Sequence, residues 1–160
     1  MTVSFTLNGR ARSFSGDPRA SLLEVLRDTY RLTGAKEVCG EGFCGACMVR
    51  IDGHPATACL VPMGTLEGSD LRTIEGIGTE AELNPVQQAF VDFDVVQCGM
   101  CFPGMVMTLT HFMKDNPHPT REAVKSALTG NICRCTGYER IIDAVMSLSG
   151  AAHPVTEVQP

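Results

Sequence analysis

Eight cysteines stand in a chain of 160 residues, and their spacing constrains the fold more than any other feature. They form two groups: Cys39, Cys44, Cys47 and Cys59, then Cys98, Cys101, Cys133 and Cys135. An even count permits disulfides. The opening MTVSFTLNGR, however, has no basic leader followed by an apolar core, so export is not expected, and cytosolic chains rarely keep structural disulfides. Metal is the stronger reading. Three thiols on one loop and a distant fourth make the plant-type [2Fe–2S] ferredoxin spacing. Zinc ribbons instead use two Cys-x2-Cys pairs. The loop reads CGEGFCGAC, and its glycines let the backbone wrap closely and aim N–H groups at sulfur. The second group, Cys-x2-Cys with Cys-x-Cys, suits zinc and [2Fe–2S] almost equally by spacing. A redox centre in the first group favours a second one beside it, because two centres make a relay.

Around the cysteines the pattern changes character midway. Val3, Phe5 and Leu7 alternate up to Asn8-Gly9, a hairpin signal. Ser21 and Glu24 form a capping box that opens a helix to about Arg31, with Leu22, Val25 and Leu26 inward. A second hairpin is expected over 48–58 around Asp52-Gly53, and a last short strand over 71–74. From residue 85 the period is helical. Asn84 caps a helix to about Phe93, another starts at Pro103 and runs to about Asp115, Thr120 caps a third that ends at Gly130, and a fourth covers 137–148. The expected class is α+β. Residues 1–76 form a small mixed sheet with one helix across it, like the β-grasp of ferredoxins. A linker covers 77–84, a four-helix domain 85–150, and a tail 151–160. Each half is small for an unaided core, so metal clusters would act as staples.

Composition narrows the partners. Net charge is −5 with the 13 Lys and Arg scattered, which argues against nucleic acid. No apolar run approaches the roughly 20 residues of a membrane helix. His54, His111, His118 and His153 fall outside the ligand spacing and read as surface or core residues. No dinucleotide fingerprint, nucleophile or acid–base pair is evident.

With these motifs assembled, the chain resembles the iron–sulfur subunit of the molybdenum hydroxylases, the xanthine oxidase and aldehyde oxidoreductase family. The likeness covers residues 3 to about 148. CGEGFCGAC and TIEGI (73–77) match the first domain, and NPVQQAF (84–90), VQCGMCFPGM (96–105) and GNICRCTGY (130–138) match the helical domain. The resemblance implies two [2Fe–2S] clusters, one on each cysteine group, with the helical cluster nearer a molybdopterin cofactor held by a large partner subunit. It implies that Gln97, and the backbone at Cys135, contact that pterin dinucleotide. It implies an electron relay from molybdenum to the helical cluster, to the β-grasp cluster, and on to an FAD-binding medium subunit or a cytochrome, in a cytoplasmic complex. A free two-cluster carrier, a zinc-stabilised interaction module and a redox sensor are the rival functions. The chain departs from the family at Phe102, where Thr is common; a Thr there would cap the Pro103 helix, and its loss costs roughly 0.5–2 kcal/mol. Phe43 and Met48 stand at usually polar positions, Phe43 on an expected exposed loop tip. Arg134, between two cysteines, is expected to pair with the cluster's negative charge or a phosphate of the pterin dinucleotide, or else to face solvent.

Overall fold

The computed structural model describes residues 1–79 and 81–149. The alternation of Val3, Phe5 and Leu7 makes β1 (Thr2–Leu7) with one buried face, and the Asn8-Gly9 turn returns the chain as β2 (Arg10–Ser15). Ser21 Oγ accepts from Glu24 N–H at 3.2 Å and opens α1 (Leu22–Glu24). The helix is shorter than the capping signal suggests. It widens into a π-turn over Val25–Thr29, and Arg31 leaves helical geometry at φ 57°. Arg27 Nη1 donates to the carbonyls of Thr33 and Ala35 at 3.1 and 2.8 Å, which ties down the departing chain.

The second hairpin is β3 (Met48–Ile51) and β4 (His54–Thr57). The last strand, β5 (Asp70–Arg72), ends before the expected Ile74, because Ile74–Gly76 winds into a 3-10 turn. It runs parallel to β1 and antiparallel to β3, giving a mixed sheet of order β2-β1-β5-β3-β4. Leu22 and Leu26 pack with Val3, Phe5, Val49 and Leu71 as one buried core.

Four helices follow: α2 (Pro85–Asp92), α3 (Phe102–Asp115), α4 (Arg121–Ala127) and α5 (Glu139–Leu148). Asn84 and Gln87 make a reciprocal capping box on α2: the Gln87 side chain accepts Asn84 N–H at 2.9 Å and the Asn84 side chain accepts Gln87 N–H, with Val86 N–H also on Asn84 Oδ1 at 2.9 Å. Helix α3 starts at Phe102, one residue before Pro103, and its cap is Cys101. Phe102 therefore does not occupy the capping position. Its ring stands edge-on to Phe90 at 5.7 Å, in the helical core. Helix α4 stops at Ala127 and tightens into a 3-10 turn over Leu128–Gly130. Helix α5 starts at Glu139 instead of 137 because Tyr138 is left-handed, φ 70°. In the expected linker, Ile77 is fully buried in the helical core.

The two cores meet. Helix α3 lies against β3 and β4, Met48 packs onto the helical core, and His54 stands edge-on to His111 at 6.4 Å. The architecture is α+β. Among the described residues no helix is long and apolar enough to cross a membrane. The tail 151–160 lies outside the described residues.

Candidate metal centres

The first centre is built on the loop between the π-turn and β3. Lys36 N–H donates to Ala46 O at 3.0 Å and closes the loop at its base. Cys39, Cys44 and Cys47 ride on it. Cys59 lies in the 3-10 turn Ala58–Leu60 beyond β4, drawn to Cys47 as Ala58 N–H donates to Cys47 O at 3.2 Å. Gly45 needs its missing side chain. Its φ is 71°, and a Cβ there would stand 2.2 Å from the carbonyl oxygen of Gly130.

The second centre joins two connecting loops of the helical half. Cys98 and Cys101 lie between α2 and α3, and Cys133 and Cys135 between the Leu128–Gly130 turn and α5. Cys101 sits at the N-terminus of α3 as its cap residue.

The thiols gather as two sets of four, and within each set they adjoin in pairs. Cys39 adjoins Cys44, and Cys47 adjoins Cys59, with Cys44 also acting on Cys47. In the other set Cys98 adjoins Cys135 and Cys101 adjoins Cys133, with Cys98 also acting on Cys101. Among the described residues no three His, Cys, Asp or Glu side chains converge as a single-ion site requires. Two pairs of thiols instead suit a two-iron group, each iron taking two thiolates, and an all-thiol donor set suits [2Fe–2S].

The surroundings differ from thiol to thiol. The amide of Glu41, then that of Cys44, hold the Cys39 thiol down to about 6. Burial pushes Cys47 up to about 11 and Cys101 up to about 12. Burial also opposes ionisation of Cys133, yet the hydroxyl and amide of Thr136 bring it below the ordinary value. Cys44, Cys47 and Cys133 are buried, whereas Cys98, Cys135 and Gln97 are exposed on one face. Gln97 and Cys135 line the same shallow recess as Cys98 and Phe102. Arg134 is exposed beside Met100 and Ile132 in a groove between the two centres. Phe43 is 59 % exposed at the first loop's tip, and the exposed Leu60 lies against the neighbouring Gly42. His118 meets Ser149 O at 2.8 Å, away from both centres.

Spacing does not single out Thr136 or Tyr138, yet both act on Cys133. The Tyr138 hydroxyl accepts from Cys133 N–H at 2.9 Å and donates to Asn131 O at 3.1 Å. Thr136 Oγ1 lies 3.0 Å from Cys133 Sγ. The one sequence signal was their place directly after the Cys-x-Cys pair.

Residues 16–102 match the family described as 2Fe-2S iron-sulfur cluster binding domain, and residues 73–146 match the [2Fe-2S] binding domain. The nicotinate dehydrogenase small FeS subunit of Eubacterium barkeri is 43% identical over 145 residues, covering 91% of this chain and 92% of that one. Human aldehyde oxidase is 45% identical over 152 residues, 88% of this chain but 11% of that protein. The crystal structure of quinoline 2-oxidoreductase from Pseudomonas putida 86 superposes with a TM-score of 0.89 at 40% identity, covering 93% of both chains. Fold and relatives define an electron-transfer subunit of an oxidoreductase. The chain belongs to the small iron–sulfur subunits of the molybdenum hydroxylases.

Proposed function

We propose that this chain carries one [2Fe–2S] cluster on Cys39, Cys44, Cys47 and Cys59 and a second on Cys98, Cys101, Cys133 and Cys135, and that it relays electrons between a large molybdopterin-binding subunit and an FAD-binding subunit or a cytochrome. When bound, each cluster takes up and returns one electron at a time, so a two-electron oxidation is divided into single steps. The observation that carries the reading is the arrangement of eight thiols as two adjacent four-thiol sets, each made of pairs. Residues 1–76 act as a β-grasp ferredoxin domain and 85–150 as a four-helix domain, with 77–84 between them.

Gln97 stands exposed beside Cys98 and Cys135, where its amide can donate to and accept from the polar pterin of the partner. Cys135 lines the same recess, and its backbone is the second group we assign to the pterin. The complex assembles in the cytoplasm. Substrate choice belongs to the large subunit: relatives named for nicotinate and for aldehydes match this chain at 43 and 45% identity, so the relay serves different chemistries.

The test is metal analysis of the complex purified through a tag on this chain. About four Fe and four sulfides per chain are expected, with Mo co-eluting on a larger subunit. Iron and sulfide without Mo or a stable partner would indicate a free carrier. Zinc without sulfide would overturn both readings.

A further inference from the structure

We infer that the Thr136 hydroxyl is a positioning group that sets the reduction potential of the second centre, through a hydrogen bond to Cys133 Sγ. The inference rests on the proposed cluster assignment and deepens it. Thr136 Oγ1 lies 3.0 Å from the sulfur and Thr136 N–H 3.4 Å from it, so one residue aims two donors at one ligand. The direction of the hydroxyl follows from chemistry. A ligating sulfur carries no proton, so Thr136 must be the donor. The oxygen's acceptor side is already engaged by Tyr138 N–H at 3.2 Å, which fixes the rotamer.

The rest of the loop holds this geometry. Gly137 and Tyr138 take φ of 65° and 70°, turning the chain sharply back on itself. That turn brings the Tyr138 hydroxyl over Cys133 N–H, with its own proton on Asn131 O. At the first centre the donor to Cys39 Sγ is a backbone amide, that of Glu41 at 3.4 Å, which no side-chain substitution removes. The second centre thus has a potential set partly by a side chain. A donor aimed at sulfur stabilises the more negative, reduced state and raises the potential. In a relay this makes the second centre the readier acceptor.

The experiment is a reductive titration of the purified complex, followed by the paramagnetic signals of the two centres, for the native chain, Thr136→Val, Thr136→Ala and Thr136→Ser. Thr136→Val should retain full iron and sulfide and reduce the reduced-to-oxidised ratio of one centre about tenfold at fixed potential, which is about 59 mV for a one-electron couple. The other centre should not move, and Thr136→Ser should restore the native value. Thr136→Ala carries the same test if the valine variant does not assemble. An unmoved potential in a fully loaded Val or Ala variant overturns the inference and leaves the cluster assignment standing. Loss of the second centre in both, with Ser retaining it, makes the hydroxyl an assembly element and also overturns it. Absence of two [2Fe–2S] signals in the native complex refutes the assignment itself.

Discussion

Ile132 N–H donates to the carbonyl oxygen of Cys44 at 2.9 Å. One bond thus joins a cysteine of the first set to the residue that precedes Cys133 in the second. Asn131 reinforces it, with its side-chain amide 3.4 Å from Gly45 O. The two thiol sets are therefore fixed to one another through backbone, and the fixation depends on close approach of the two halves.

That approach has a test at Gly104. A Cβ on this buried helical residue would stand 1.9 Å from Gly45 O and 2.9 Å from its carbonyl carbon. Backbone cannot yield as a flexible side chain can. Gly104→Ala should cost about 1–3 kcal/mol by overpacking and push α3 away from the first loop. A lowered Tm, with both clusters present but magnetically less coupled, is the expected result. Native Tm and coupling would show that the interface tolerates the methyl.

Each cysteine set should be separable. Cys44→Ser should abolish or alter one of two distinct [2Fe–2S] signals, and Cys133→Ser the other. Electron paramagnetic resonance of the dithionite-reduced variants reads this directly. Loss of both signals from either single change would argue against two independent sites.

Gln97→Ala removes an exposed amide that touches no thiol hydrogen bond seen here. It should leave both clusters intact while slowing electron delivery or loosening the molybdenum subunit. Iron content, turnover and Mo retention measure the three effects. If turnover and Mo retention both stay native, Gln97 has no part in the partner contact.

Asn84 is fully buried, caps α2 through Val86 N–H at 2.9 Å and accepts from the Thr110 hydroxyl at 3.2 Å. Asn84→Ala removes a cap and leaves the donors of Val86, Gln87 and Thr110 to find other acceptors. Denaturant unfolding should show a loss of about 2 kcal/mol or somewhat more, with cluster signals unchanged in the native state.

In protein freed of metal, the thiols should separate by pH. Cys39, held down to about 6, should be alkylated by iodoacetamide at a rate that climbs through pH 6 and levels off above 7. Cys101, pushed up to about 12 by burial, should resist until strongly alkaline pH. The stability signs are opposite. A depressed Cys39 contributes stability that is complete above the ordinary value near 9 and is lost as pH falls through about 6. A raised Cys101 contributes stability below about 9 that is lost as pH climbs toward 12. Mass-spectrometric mapping of the modified peptides distinguishes the two residues.

Local signals carried much of this structure. Asn8-Gly9, Asp52-Gly53, Ser21, Asn84 and Thr120 act on their immediate neighbours, and the elements they imply are present. Spacing also indicated which thiols stand together, since ligands to one group must share a loop or adjoining loops. The misjudged points are tertiary in origin. The π-widening after Glu24 accompanies the carbonyls that Arg27 gathers from residues further on. Helix α3 starts at Phe102 with Cys101 as its cap, so the Phe102 ring is free to seat on Phe90, a contact no local signal announces. Thr136 and Tyr138 reach Cys133 where two successive residues, Gly137 and Tyr138, turn left-handed, and a left-handed Tyr is not a conformation its residue type announces.

Cys98 and Cys135 remain open to solvent while the thiols of the first loop nearest the interface are covered. On the proposed cluster assignment, a copy of this chain without its partners would leave the iron–sulfur bonds of Cys98 and Cys135 open to air. Air should bleach the second centre first in such an orphan, and the assembled complex should be its shelter. The proposed partner surface would then serve a second purpose, keeping oxygen from the two thiols this chain does not cover itself.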